Sequence, residues 1–162
     1  MAHNLNSSRM KRWRSWLQNH AGLADKQPNS LAFVLDSNIW ISALLFGGLP
    51  EKVVFFADSK VRLISSRYIT DEVVRIIKQQ RPKIPHKFIT AVRLGLGDYE
   101  VPVPETVISG IRDIKDEPVV RLAESYGAVI VTGDRDILEY DGDVTSITLN
   151  EFAELFDIST DD

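Results

Sequence analysis

Leu31-Ala32-Phe33-Val34-Leu35-Asp36 and Ala128-Val129-Ile130-Val131-Thr132-Gly133-Asp134 share one plan: an unbroken apolar run that leads to a carboxylate. A strand apolar on both faces is covered on both faces, which is the mark of a parallel sheet between helical layers rather than of a half-solvated antiparallel one. The segments between the two runs fit that plan. Ile39 to Phe46 predicts a helix, apolar nearly all round and so buried, with Asn38 as its cap and Gly47-Gly48-Leu49-Pro50 as its break. A second helix is expected over Glu51 to Ser59 and a strand over Val61 to Ile64. Thr70 to Lys78 continues helically, with Ile69, Val73, Ile76 and Ile77 on one side and basic residues on the other, until Pro82 and Pro85 end it.

Lys87 to Leu96 reads as a further helix and Tyr99 to Val103 as a short strand. Pro118 suits a first helical turn, and Gly127 stops the helix that runs to Tyr126. A short helix after Asp134, a strand over Val144 to Leu149 and a helix over Glu151 to Phe156 complete the expected order. The resulting expectation is an α/β fold in three layers, α/β/α, around a central, mostly parallel sheet. Ligands of such sheets sit beyond the carboxyl ends of the strands, where strand order reverses, and Asp36 and Asp134 directly follow two such ends.

With 162 residues, 44% of them hydrophobic, the chain supports one core and one catalytic domain. Residues 1–30 differ in character: Arg9, Lys11, Arg12 and Arg14 surround Trp13, Trp16 and Leu17, and Pro28-Asn29-Ser30 marks a boundary. We therefore expect a basic N-terminal extension over 1–30 and the folded domain over 31–158. No apolar run approaches the ~20 residues of a membrane span, so a soluble, cytoplasmic protein without membrane partners is expected. The absence of cysteine excludes disulfides, thiolate catalysis and cysteine-based zinc sites. Trp40 and Phe55-Phe56 read as core or as the interface of a homodimer.

The formal net charge of -4 is unevenly placed. From Arg62 to Arg93 basic residues dominate, among them Arg67, Arg75, Lys78, Arg81, Lys83 and Lys87; from Leu94 onward acids do. Four acids stand where they can converge: Asp36, Glu72 near a helix start, Asp116 at another helix start, and Asp134. Each alone reads as a cap or turn residue. Together they repel one another, and such a cluster is expected where a divalent cation neutralises it. Oxygen donors without cysteine or a histidine pair suit Mg²⁺ or Mn²⁺. A metal centre of that kind activates water against a phosphodiester without a protein nucleophile.

Phe33-Val34-Leu35-Asp36-Ser37-Asn38-Ile39 resembles the first motif of PIN domains, Ile114 to Ala123 their third, and Val129 to Leu138 is very similar to their last. Asp71-Glu72-Val73 falls where that family keeps a glutamate. The resemblance runs from about Phe33 to Phe156 and is greatest to the PIN-domain toxins of bacterial toxin–antitoxin modules. It implies a Mg²⁺- or Mn²⁺-dependent ribonuclease held inactive by a cognate antitoxin protein. Carried over, Asp36, Glu72, Asp116 and Asp134 form the catalytic quartet, with Asp36, Asp116, Asp134 and the outer Asp136 as metal ligands and Asn38 and Thr132 as supporting residues. Asp113 is a less favoured fifth acid. In that setting Arg67, Arg75, Lys78, Arg81, Lys83 and Lys87 become RNA contacts rather than a merely solvated face.

Two departures are Ser37, where threonine is commoner, and Glu117, where asparagine is frequent. A haloacid-dehalogenase-like phosphatase would need an aspartate where Asn38 stands, and a response-regulator receiver a lysine that Thr132-Gly133-Asp134 does not offer. The alternative from another class is a catalytically silent PIN scaffold that binds RNA or a partner protein.

Overall fold

A computed structural model describes residues 31–105 and 111–161. The expected extension over 1–30 lies outside the described residues. The chain runs β1 (Ala32–Leu35), α1 (Ser37–Phe46), α2 (Gly48–Lys60), β2 (Arg62–Ile64), α3 (Arg67–Gln80), α4 (His86–Gly97), a 3₁₀ turn (Ile114–Asp116), α5 (Glu117–Tyr126), β3 (Val129–Val131), α6 (Arg135–Leu138), β4 (Thr145–Ile147) and α7 (Leu149–Leu155).

The strands form one four-stranded sheet in the order β2-β1-β3-β4, and every pairing is parallel. Phe33 pairs with Leu63 on one side and Val129 on the other, so β1 and β3 are the central strands. Both are buried along their whole length, which is why neither alternates polar with apolar residues. Helices flank the sheet: α5 lies on β1 and β3, while α2 lies on β2 and α7. The outcome is the three-layer α/β/α arrangement, with strand order reversing between β1 and β3.

Aromatic packing closes the core on the α2–α7 side. Phe33 meets Phe152 edge-on at 5.3 Å between ring centroids, and Phe56 and Phe156 join the same cluster. Trp40 is buried beside Tyr99, whereas Phe55 is 66% exposed. Thr148 and Glu151 form a reciprocal capping box at the start of α7, and Gly127 ends α5 in the left-handed region at φ 60°.

Three local expectations change. Tyr99 to Val103 makes only a single parallel bridge, Ser65 to Glu100, because Pro102 and Pro104 remove donors that a ladder needs. Asp36, not Asn38, caps α1: its Oδ1 accepts the Ser37 N–H at 2.8 Å, so the helix starts earlier and Asn38 is exposed within it. The far end of α1 is not buried either, since Leu44 is 37% and Phe46 67% exposed, with the Arg81 guanidinium over the Phe46 ring. No single helix among the described residues is long and apolar enough to cross a membrane. The α1–α2 pair passes that test only jointly and is bent by 114°.

Candidate metal centre

The carboxyl ends of β1 and β3 lie side by side, with Leu35 in register with Val131 and the Asp36 N–H bonded to the Val131 carbonyl at 3.0 Å. The next residues therefore reach the same crevice. Thr132 Oγ1 donates to Asp36 Oδ2 at 2.7 Å and accepts the Asp134 N–H at 3.0 Å, tying the two aspartates to one hydroxyl. Asp134 Oδ1 in turn accepts the Asp136 N–H at 2.8 Å and caps α6. Asn38 joins this corner, its Nδ2 lying 3.6 Å from where a Cβ on Gly133 would stand.

Glu72 arrives from α3, whose N-terminus is capped by Ser66 at the carboxyl end of β2. Ser37 Oγ donates to Glu72 Oε2 at 2.6 Å and also lies 3.4 Å from Asp36 Oδ1, so one hydroxyl links the helix acid to the strand acid. Arg75, one turn further along, approaches Glu72 Oε1 at 3.7 Å. Asp116 is delivered by the 3₁₀ turn, with Asp113 as that turn's N-cap. Residues three apart eclipse in a 3₁₀ turn, which puts both carboxylates on one side.

Asp113, Asp116 and Asp136 each offer a carboxylate oxygen, and these oxygens all lie within 4.8 Å of one another. The closest trio thus contains Asp113, the less favoured acid of the sequence reading, while Asp36 and Asp134 act on it from the strand ends. Burial first, then the negative charges of Asp134, Asp113, Asp36 and Asp136, push Asp116 up to about 7. Asp36 is also raised, chiefly by its burial at the carboxyl end of a central strand, against the lowering effect of the Thr132 and Ser37 bonds. Asp36, Asp116 and Asp134 act on one another, Asp113 and Asp136 extend the group, and Glu72 joins it through Asp36.

Asp116 Oδ2 is buried and has no hydrogen-bond partner among the described residues. An orphaned carboxylate oxygen is costly unless something positive faces it. Donors that are all hard oxygens fit Mg²⁺ or Mn²⁺. Arg112 answers part of the negative charge: its Nε contacts Asp136 Oδ1 at 3.0 Å and its Nη2 contacts Glu139 Oε2 at 2.6 Å.

The basic residues of α3 and α4 fall into two groups. Arg67 approaches Asp71 at 3.5 Å and Arg75 approaches Glu72 at 3.7 Å, with both arginines exposed along α3. Lys78, Arg81, Lys83 and Lys87 are exposed around the C-terminal end of α3, and at ~1.5 Å rise per residue Arg81 stands roughly 13 Å along the helix from Glu72. Ser37 stands out in the sequence only as a departure from the motif, and Tyr68 and Arg112 carry no mark that would single them out. Asp113 does, as the first member of an Asp-x-x-Asp pair at a helix start.

No curated protein and no solved structure matches the chain. A PIN domain profile matches residues 32–136, a span that holds β1, α3, the 3₁₀ turn, β3 and each of the clustered acids. That span is more than half of the 162 residues, and the chain belongs to the PIN-domain family.

Proposed function

We propose that the protein is a Mg²⁺- or Mn²⁺-dependent ribonuclease that hydrolyses phosphodiester bonds at this cluster. The observation that carries the reading is Asp116 Oδ2, buried and unpartnered among Asp36, Asp113, Asp134 and Asp136. A bound divalent cation supplies Lewis acidity to water and phosphate at such a centre. The protein's own part is placement. Thr132 and Ser37 fix both oxygens of Asp36, the Asp136 amide fixes Asp134, and Ser37 holds Glu72 against the same crevice. Asp36, Asp116, Asp134 and Asp136 are the proposed metal ligands, with Asp113 added by geometry. Glu72 completes the catalytic set from α3.

In the overall reaction water adds to phosphorus and the 3′ oxygen leaves with a proton, giving 5′-phosphate and 3′-hydroxyl ends. Arg67, Arg75, Lys78, Arg81, Lys83 and Lys87 are the proposed phosphate contacts of the flanking RNA, Arg67 and Arg75 as the exposed members of ion pairs with Asp71 and Glu72. The test compares the wild type with Asp36→Asn on a mixed RNA pool, with Mn²⁺ and with EDTA. Cleavage only by wild type plus metal supports the reading. Equal cleavage by both proteins would sink it as contamination, and cleavage by neither would favour the silent scaffold.

The finer reading is the toxin of a type II toxin–antitoxin module, acting in the cytoplasm as a homodimer and silenced by a cognate antitoxin. Its support is the motif resemblance and an apolar groove where α1, α3 and α4 meet, floored by Leu44, Leu45, Ile84 and Phe88 and edged by Arg81 and Lys83. Co-expression with a small reading frame that adjoins the gene tests it: copurification with loss of cleavage supports the module, and the absence of such a frame or free activity in its presence overturns it.

A further inference from the structure

The 3₁₀ turn brings Asp113 and Asp116 to the cluster, yet it is a weak element in itself. It is one turn long, closed by the Asp116 N–H to the Asp113 carbonyl at 3.0 Å and by the Asp113 side chain on the Lys115 N–H at 3.0 Å. A single 3₁₀ turn has poor hydrogen-bond geometry and no cooperative reserve. Its apolar residue does not anchor it, since Ile114 is 76% exposed. Its C-terminal end runs directly into α5, so it is the N-terminal half, with Asp113, whose position against α3 is left to tertiary contacts.

Two side chains reach across. Arg112 clasps α6 through Asp136 and Glu139, but it does so by occupying an acid of the cluster itself. Tyr68 does not. Its hydroxyl donates at 2.9 Å to the backbone carbonyl of Lys115, in the middle of the turn, and leaves each carboxylate free. Tyr68 also lies one helical turn before Glu72, and residues four apart share a face of the helix.

We propose that Tyr68 is the positioning residue of the metal centre, docking the Asp113–Asp116 turn against α3 and so fixing the spacing between Glu72 and the trio Asp113, Asp116 and Asp136. The inference rests on the metal-centre reading, and its test separates the two. Mn²⁺ alone is titrated into the full chain and followed by the loss of its free electron-paramagnetic signal. Tyr68→Phe keeps the ring and removes only the hydroxyl.

Tyr68→Phe is expected to weaken Mn²⁺ binding by up to about fivefold, with a lowering of the metal-free thermal midpoint no larger than one net hydrogen bond accounts for. In an Asp116→Asn background the same substitution should add little, because the ligand it positions is already altered. Equal affinity of Tyr68→Phe and wild type overturns the proposal, as does a full fivefold loss on top of Asp116→Asn. A drop in thermal midpoint without a drop in affinity also overturns it, since that is what a purely structural contact gives. Failure of the wild type to bind Mn²⁺ overturns the metal-centre reading instead.

Discussion

Thr132 Oγ1 and Asp36 Oδ2 meet at 2.7 Å although 96 residues separate them along the chain. The bond is buried, and the same hydroxyl accepts the Asp134 amide, so it couples the two strand-end aspartates. Thr132→Val keeps the shape and removes the hydroxyl. Leaving a buried carboxylate and amide short of a partner costs about 1–3 kcal/mol, measurable by urea unfolding, and Mn²⁺ affinity should fall with it. Thr132→Ser should restore most of both. A valine variant as stable as wild type would show that the hydroxyl is dispensable.

Stability without metal should depend on pH in an unusual direction. Asp116 is raised to about 7 in the folded protein, well above its unfolded value of about 3.8, so the folded state holds the proton more tightly between the two. Its contribution to stability is fully present below about pH 4 and is lost as pH rises through about 7. Asp36 acts in the same sense. Thermal unfolding in EDTA should therefore show a smaller advantage of wild type over Asp116→Asn at pH 8 than at pH 5. Excess Mn²⁺ should reverse the order at pH 8 by binding the folded state.

Arg112 competes for Asp136. Arg112→Gln frees that carboxylate and removes a nearby positive charge, and Mn²⁺ affinity should rise up to about fifteenfold, the scale of one unit charge acting on a divalent ion at about 5 Å in water. Arg135 approaches Glu139 at 3.6 Å, and Arg135→Gln serves as the control. A general electrostatic effect would raise affinity equally in both. Because the Arg112 pair is exposed, folding stability should change by less than about 1 kcal/mol.

The family match ends at Asp136, but the domain does not. Phe152 on α7 is fully buried against Phe33 of the central strand. Phe152→Ala should cost about 3–5 kcal/mol in urea unfolding, a full core truncation. A loss under about 1 kcal/mol would make α7 an appendage rather than a wall of the core.

Chemistry tied to strand ends was legible from the sequence alone. The apolar runs into Asp36 and Asp134 give the parallel sheet, the crevice and half of the acids at once, because burial on both faces leaves a signature that needs no partner residue. Glu72, placed mainly by its order along the chain, does reach the crevice. Contacts between distant segments were not legible: Ser37 with Glu72 lies across 35 residues, Tyr68 with Lys115 across 47 and Arg112 with Glu139 across 27. None has a local pattern. Asp113 had one, the spacing to Asp116, but a 3₁₀ turn and an ordinary helix cap look alike until the turn is seen. The missing strand after Tyr99 is a matter of two prolines outweighing an apolar alternation.

Because β1 sits in the middle of the sheet, its acid waits for a partner made much later. A chain emerging from the ribosome presents Asp36 early, and Thr132 follows 96 residues behind. At roughly 5–20 residues per second that interval is about 5–20 s. Through most of it β1 can pair only with β2, while β3, Thr132 and the 3₁₀ turn that brings the other acids are still to come. The cluster of acids can then come together only in one late step, once Asp134 and Asp136 have followed Asp36 along the chain.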